Sequence, residues 1–299
     1  MKWQGVFPAI TTPFQEDLSI DLDFLSRHLE AMLAAGCTGF VPLGSLGESA
    51  TLSLAEKRAV LEVCRKTLGG RAALVAGIAA LSTAEAVATA RMAAEKGCDG
   101  LMVLPPYVYR PDARETLAHF SAVIGATELP CMLYNNPIAY GTDVSAEELA
   151  KLAGRHANLV AVKESSGDVR RIAGVRAALD GRLAIFVGVD DLIVEGVAAG
   201  AIGWIAGLVN ALPEESVRLF DLALAAGGSS RETRELYEWF LPLLRLDVVP
   251  KFVQLIKLAQ QECGMGSERV RPPRLVLEGA ERGEALAVIR ERLARRPRI

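Results

Sequence analysis

The chain has 299 residues, 51% of them hydrophobic and 23% charged, with a formal net charge of −3. That is enough to bury a large core and too little positive charge to attract nucleic acid. No apolar stretch approaches membrane-spanning length, no apolar leader follows the N-terminus, and five scattered cysteines without a C-x-x-C pair fit the reduced thiols of a cytoplasmic protein.

Short apolar runs begin at residues 6–10 and recur at 40–43, 73–78, 101–104, 131–134, 159–162, 185–189 and 204–208. Each is continuous rather than alternating, which is how strands covered on both faces of a parallel sheet read. Amphipathic helical stretches lie between them. The first, over 21–35, carries Leu22, Leu25, Leu29 and Leu33 near helical spacing. The next opens at Ser53 with Glu56 three residues on, a capping box; Ser82 and Ser145 open later helices in the same way.

A phrase repeats where helix gives way to strand: Gly36-Cys37-Thr38-Gly39-Phe40, Gly97-Cys98-Asp99-Gly100-Leu101 and Gly200-Ala201-Ile202-Gly203-Trp204. The first glycine suits a helix C′ position and the second lets a strand start tightly. The alternation predicts an α/β fold, a (β/α)8 TIM barrel over 1–225, with a helical C-terminal region over 226–299 packed on it. No G-x-G-x-x-G follows the first strand, which disfavours a doubly wound dinucleotide fold. His28, His119 and His156 are far apart without ligand spacing, so no metal site is expected.

In such a barrel the chemistry sits at the C-terminal ends of the strands. Three segments fall there: Gly44-Ser45-Leu46-Gly47-Glu48, Tyr134-Asn135-Asn136-Pro137, and Lys163 closing the run 159–162. A lysine in apolar surroundings is costly unless paired or used, and a lowered pKa makes it a nucleophile toward a carbonyl carbon. The bland alternative is a lysine snorkelling out of the mouth. The Gly44–Gly47 turn offers amides and the Ser45 hydroxyl to a carboxylate, although many α/β turns are glycine-rich for structural reasons alone. Tyr134 is a candidate proton relay for the amine of Lys163, although a barrel aromatic is more often core.

These segments, with Val162-Lys163-Glu164-Ser165-Ser166-Gly167, resemble the signatures of the dihydrodipicolinate synthase / N-acetylneuraminate lyase superfamily over nearly the whole chain. The resemblance implies a Schiff-base class I lyase, a homotetramer built as a dimer of dimers, acting on a small keto or imino acid without metal or organic cofactor. It implies Lys163 as the Schiff-base lysine and Tyr134 as the catalytic tyrosine. Ser45, with Gly44, Leu46, Gly188 and Gly207, would form the substrate-binding positions.

Three departures from the synthase pattern bear on the reaction. Leu46 stands where a second hydroxyl residue belongs, Ala139 where an arginine grips the second substrate's carboxylate, and Val108 where a tyrosine reaches into the neighbouring subunit. The combination with Gly188-Val189-Asp190-Asp191, Gly203-Trp204-Ile205-Ala206-Gly207 and Leu244-Arg245-Leu246-Asp247-Val248 is most similar to the 1-pyrroline-4-hydroxy-2-carboxylate deaminases. The expected reaction is therefore deamination and dehydration of that cyclic imine to 2-oxoglutarate semialdehyde. The alternatives are 4-hydroxy-tetrahydrodipicolinate synthesis or another pyruvate-dependent aldol reaction, and a non-catalytic member that only binds a keto acid.

Overall fold

In a computed structural model, residues 2–227 and 230–298 are described. Gly228 and Ser229, within the expected C-terminal region, lie outside them, as do Met1 and Ile299. Eight parallel strands form the barrel: β1 (Gly5–Pro8), β2 (Gly39–Phe40), β3 (Ala73–Ile78), β4 (Gly100–Val103), β5 (Cys131–Asn135), β6 (Leu159–Glu164), β7 (Ala184–Val187) and β8 (Gly203–Ala206). Hydrogen bonding runs β1-β8-β7-β6-β5-β4-β3-β2. The remaining seam is closed by an Ala9–Val41 bridge and by the Thr38 and Val41 amides donating to Val6 O (3.0 Å) and Pro8 O (2.8 Å).

The helices after successive strands are α1 (Leu22–Ala34), α2 (Leu54–Leu68), α3 (Thr83–Glu95), α4 (Ala113–Ile124), the single turn α5 (Pro137–Tyr140) with α6 (Ala146–Arg155), α7 (Arg170–Ala178), α8 (Ile193–Ala198) and α9 (Pro213–Ala226). Then come α10 (Arg231–Leu244), α11 (Phe252–Glu262) and α12 (Gly279–Ala294). The expected capping boxes at Ser53 and Ser145 are formed; at Ser82 the hydroxyl accepts from Glu85 N.

The repeated glycine phrase has a packing reason beyond its turns. Gly36, Gly97 and Gly200 have φ of +101°, +74° and +109°, which a side chain disfavours. Gly39, Gly100 and Gly203 open β2, β4 and β8, and a Cβ there would meet the rings of Phe7, Trp3 and Phe186 at 2.5, 2.9 and 2.2 Å. Those three rings pack on one another with centroids 5.0–6.3 Å apart and plug the N-terminal end of the barrel. With the bottom filled, only the opposite end is left for a site.

Two strand ends differ from the sequence expectation. β6 continues through Lys163 and Glu164 instead of stopping at Val162, because Glu164 is pinned by Asn135 Nδ2 (3.2 Å) and the Ser166 amide (2.7 Å). β7 stops at Val187, and Asp190–Leu192 forms a 3-10 turn because the Asp190 carboxylate caps the end of β8.

Candidate active site

Lys163 and Tyr134 meet because of a register irregularity. Cys131 pairs with Leu159 but Met132 pairs with Ala161, so Val160 is an extra residue in β6. The bulge brings Tyr134 opposite Lys163 in adjacent strands, with their side chains on one face. Without it Tyr134 would lie opposite Val162.

Lys163 is 7% exposed, and its ammonium nitrogen sits 4.1 Å from the centroid of the Tyr134 ring. Among the described residues it donates no hydrogen bond to a carboxylate. Burial lowers its pKa from 10.5 to about 8, opposed by the charges of Asp247 and Asp190. At pH 7.5 roughly a quarter of such amines are unprotonated, against about one in a thousand for an ordinary lysine.

The Tyr134 hydroxyl does not reach that amine directly. It accepts from Asn136 Nδ2 at 2.9 Å, while the ring face carries the lysine. Burial pushes the phenol up to about 12, so it stays protonated and able to donate. Next to it stands a residue the sequence reading missed. Tyr140, ending α5, is hydrogen-bonded to Ser45 Oγ, and its ring meets Tyr134 edge-on at 5.7 Å. Ser45, Tyr140 and Tyr134 thus form one cluster of hydroxyls supplied by a single chain.

The turn holding Ser45 crosses the barrel mouth because β3 makes room for it. A Cβ on Gly77 would sit 2.7 Å from the Leu43 carbonyl carbon and oxygen. Leu46 faces inward and is buried, as an apolar residue there must be. Gly44 lies against Met102, whose methyl would be 3.6 Å from a Cβ. Ser45, Ser49, Tyr107, Tyr140 and Arg274 line a cavity of about 120 Å³ beside the turn.

Gly188 and Gly207 are required by close approach. A Cβ on Gly188 would fall 2.4 Å from Lys163 Cε and 2.0 Å from Ser165 Oγ, a buried hydroxyl without a hydrogen-bond partner among the described residues. A Cβ on Gly207 would fall 2.0 Å from Asp247 Oδ1. Both glycines therefore keep space for polar groups around the amine. Asp190, fully buried, accepts from Trp204 Nε1 (2.9 Å), Gly207 N (3.1 Å) and Leu208 N (2.8 Å). Burial still raises its pKa to about 6.

Behind the Ser45 turn is a second buried cation. Lys257 on α11 donates to Glu48 Oε1 (2.6 Å), Thr12 O (2.8 Å) and Arg269 O (2.7 Å). Glu48, at φ +53°, also accepts from Arg271 N at 3.0 Å. The C-terminal helices thereby hold the turn in place.

Val108 is 89% exposed at φ +80°, an unfavourable conformation for a β-branched residue. Ala139 is exposed on α5 and offers no charge to a substrate.

The model of the dihydrodipicolinate synthetase family matches residues 2–292. The 4-hydroxy-tetrahydrodipicolinate synthase of Methanospirillum hungatei is 34% identical over 91% of this chain and 93% of that protein. That of Agrobacterium fabrum is 33% identical over 91% and 92%. Among solved structures, the same-named enzyme of Methylacidiphilum fumariolicum SolV superposes with a TM-score of 0.91 at 31% identity, covering 98% of each chain. The dihydrodipicolinate synthase of Aquifex aeolicus gives 0.90 at 30%, covering 96% and 97%. A neighbour described as a monomeric dihydrodipicolinate synthase variant is 23% identical with a TM-score of 0.89 over 97% and 96%, so likeness of fold does not fix a subunit count.

Proposed function

Since the chain belongs to the dihydrodipicolinate synthetase family of lyases, we propose that it forms a Schiff base through Lys163 with a small 2-keto acid or cyclic imino acid. The observation that supports this is the buried amine, its pKa lowered to about 8, lying over Tyr134. Ser45 and the adjacent amides would take the substrate carboxylate. Tyr134 would move protons between the nitrogen and the reacting carbons, with Tyr140 linking it to Ser45.

For the reaction, we put first the elimination of water and ammonia from 1-pyrroline-4-hydroxy-2-carboxylate. Lys163 attacks the imine carbon and opens the ring. The protonated Schiff base acidifies C3, the C4 hydroxyl leaves as water, and tautomerisation followed by hydrolysis releases ammonia and 2-oxoglutarate semialdehyde. Ala139 and Tyr140 favour this reading. The exposed α5 turn offers no arginine for a second substrate's carboxylate, and a hydroxyl does not replace such a bidentate anchor.

The names of the relatives favour the second reading, condensation of pyruvate with aspartate semialdehyde. One experiment separates the two. The purified protein is given each substrate set in turn; ammonia release from the hydroxypyrroline without condensation supports the first, and condensation without ammonia the second. Borohydride reduction with pyruvate, followed by mass mapping, should place the adduct on Lys163. Absence of any adduct would leave only a keto-acid-binding protein.

The assembly proposed is a homo-oligomer, in keeping with the tetramer that the family resemblance implies. Leu81 (66% exposed), Val108 and Ile138 (75%) stand on the loops after β3, β4 and β5, which are neighbours in the barrel. Exposed apolar side chains on three adjacent loops are costly in water and suit a subunit contact. Light scattering of the eluting protein measures the subunit number.

A further inference from the structure

The elimination leaves one proton without a donor, the one that departs with the C4 hydroxyl. Tyr134 is committed to the Schiff-base side of the site, and Ser45 to the carboxylate. Asp247 and Asp190 are the acids whose charges act on the Lys163 amine. Asp247 ends the 3-10 turn Arg245–Asp247, and its carboxyl lies against Gly207, just after β8, where a Cβ would be 2.0 Å from Oδ1 and 2.6 Å from Cγ. Gly207 N donates to Asp190 at 3.1 Å, so the two carboxyl groups flank a single residue. They are not equivalent. Asp190 has its oxygens filled by Trp204, Gly207 and Leu208 donors, whereas Asp247 has no such partner among the described residues.

We propose that Asp247 is the acid that protonates the departing hydroxyl. The inference rests on the elimination reading above. As the C3 proton leaves, the electron pair of the enamine expels the C4 oxygen. That oxygen takes the Asp247 proton and departs as water, leaving Asp247 as carboxylate. The carboxylate then accepts a proton from C5 as the amine-bearing carbon tautomerises, and the acid is regenerated. No oxidant or further reactant is needed.

The surroundings support the protonated form. Burial and the Asp190 charge raise the Asp247 carboxyl well above the usual carboxylate range, while Lys163 opposes that shift and Asp191 adds to it. Arg245, on the same turn, is turned to Asp191 at 3.7 Å. Lys163 and Asp247 therefore compete for one proton in a low-dielectric space. In the tautomer with the proton on Asp247, the nucleophile and the acid are both in their working forms at once.

Asp247→Asn tests this. Elimination from the hydroxypyrroline, read as ammonia release, should fall by about 10²- to 10³-fold, the size of a lost general acid. Deuterium exchange into the pyruvate methyl group in D2O requires the Schiff base and proton removal but no leaving group, and should continue close to the wild-type rate. Gly207→Ala, which places a methyl group where the carboxyl lies, should lower elimination as Asp247→Asn does. If exchange falls in parallel with elimination, Asp247 serves Lys163 and not the leaving group, and the proposal is overturned. Undiminished elimination in Asp247→Asn also overturns it while leaving the reading intact. A wild-type protein that exchanges pyruvate but releases no ammonia removes the reading, and the role of Asp247 with it.

Discussion

Two lysines are buried in this structure, Lys163 near the end of β6 and Lys257 on α11 behind the Ser45 turn, and they have opposite fates. Burial lowers the pKa of each to about 8, and both nitrogens lie over an aromatic ring, Tyr134 for Lys163 and Phe14 for Lys257. Lys257 spends all three N–H donors on Glu48 and two carbonyls. Lys163 has carboxylates nearby but makes no such bonds among the described residues. Burial alone therefore does not make a nucleophile. An amine becomes available when desolvation destabilises its charge and nothing fixes its hydrogens.

The largest expected effect breaks the comparison at its reactive side. Lys163→Ala should abolish turnover and the borohydride-trapped adduct, while the protein still folds, because the lost amine makes no hydrogen bond among the described residues. Retained adduct formation would place the chemistry on another residue. The next effect is on the structural side. Lys257→Met leaves Glu48 buried with the Arg271 amide (3.0 Å) and the more distant Arg274 guanidinium (4.0 Å) beside it, and should cost about 3 kcal/mol of stability, the low end of the usual cost of breaking a buried pair. Chemical denaturation measures it. An unchanged midpoint would mean that the ion pair does not hold the Ser45 turn. Tyr134→Phe should come third, slowing turnover by about 10²-fold, or about 2.7 kcal/mol in the barrier. It keeps the ring under the ammonium, so a wild-type rate would remove the hydroxyl from the mechanism.

The same contrast explains what could be read from the chain and what could not. The strands were legible because each is a continuous apolar run between glycine-marked joints, and Lys163 stood out because it breaks such a run. Tyr140 closes the Tyr-Asn-Asn-Pro-x-x-Tyr-Gly segment, but its role gave no signal, since its link to Ser45 spans 95 residues and depends on the turn of α5. The Glu48–Lys257 pair spans 209 residues, and Lys257 sits in an ordinary amphipathic pattern. Asp247 stands in the Leu244–Val248 segment of the deaminase-like pattern but carries no role there, because only the 3-10 turn brings it onto Gly207. Local periodicity finds what local backbone dictates; side chains joined by closure of the barrel are set by tertiary contacts that no window of sequence contains.

The smallest effect sharpens the comparison without altering a residue. In the folded protein, acylation by a small amine-reactive reagent should modify Lys163 with a rate that rises through pH 8, because below that value the amine is protonated and has no lone pair to donate. An exposed lysine follows the same curve near 10.4. Lys257 should stay unmodified over the whole range in spite of its equally lowered pKa, since its nitrogen is committed to three acceptors and burial shuts out the reagent. Peptide mapping of the two sites at a series of pH values gives both curves from one sample. Equal labelling of the two lysines would mean that committed hydrogen bonds do not distinguish them. A midpoint for Lys163 near that of surface lysines would mean that water reaches the amine, and that the barrel mouth does not desolvate it.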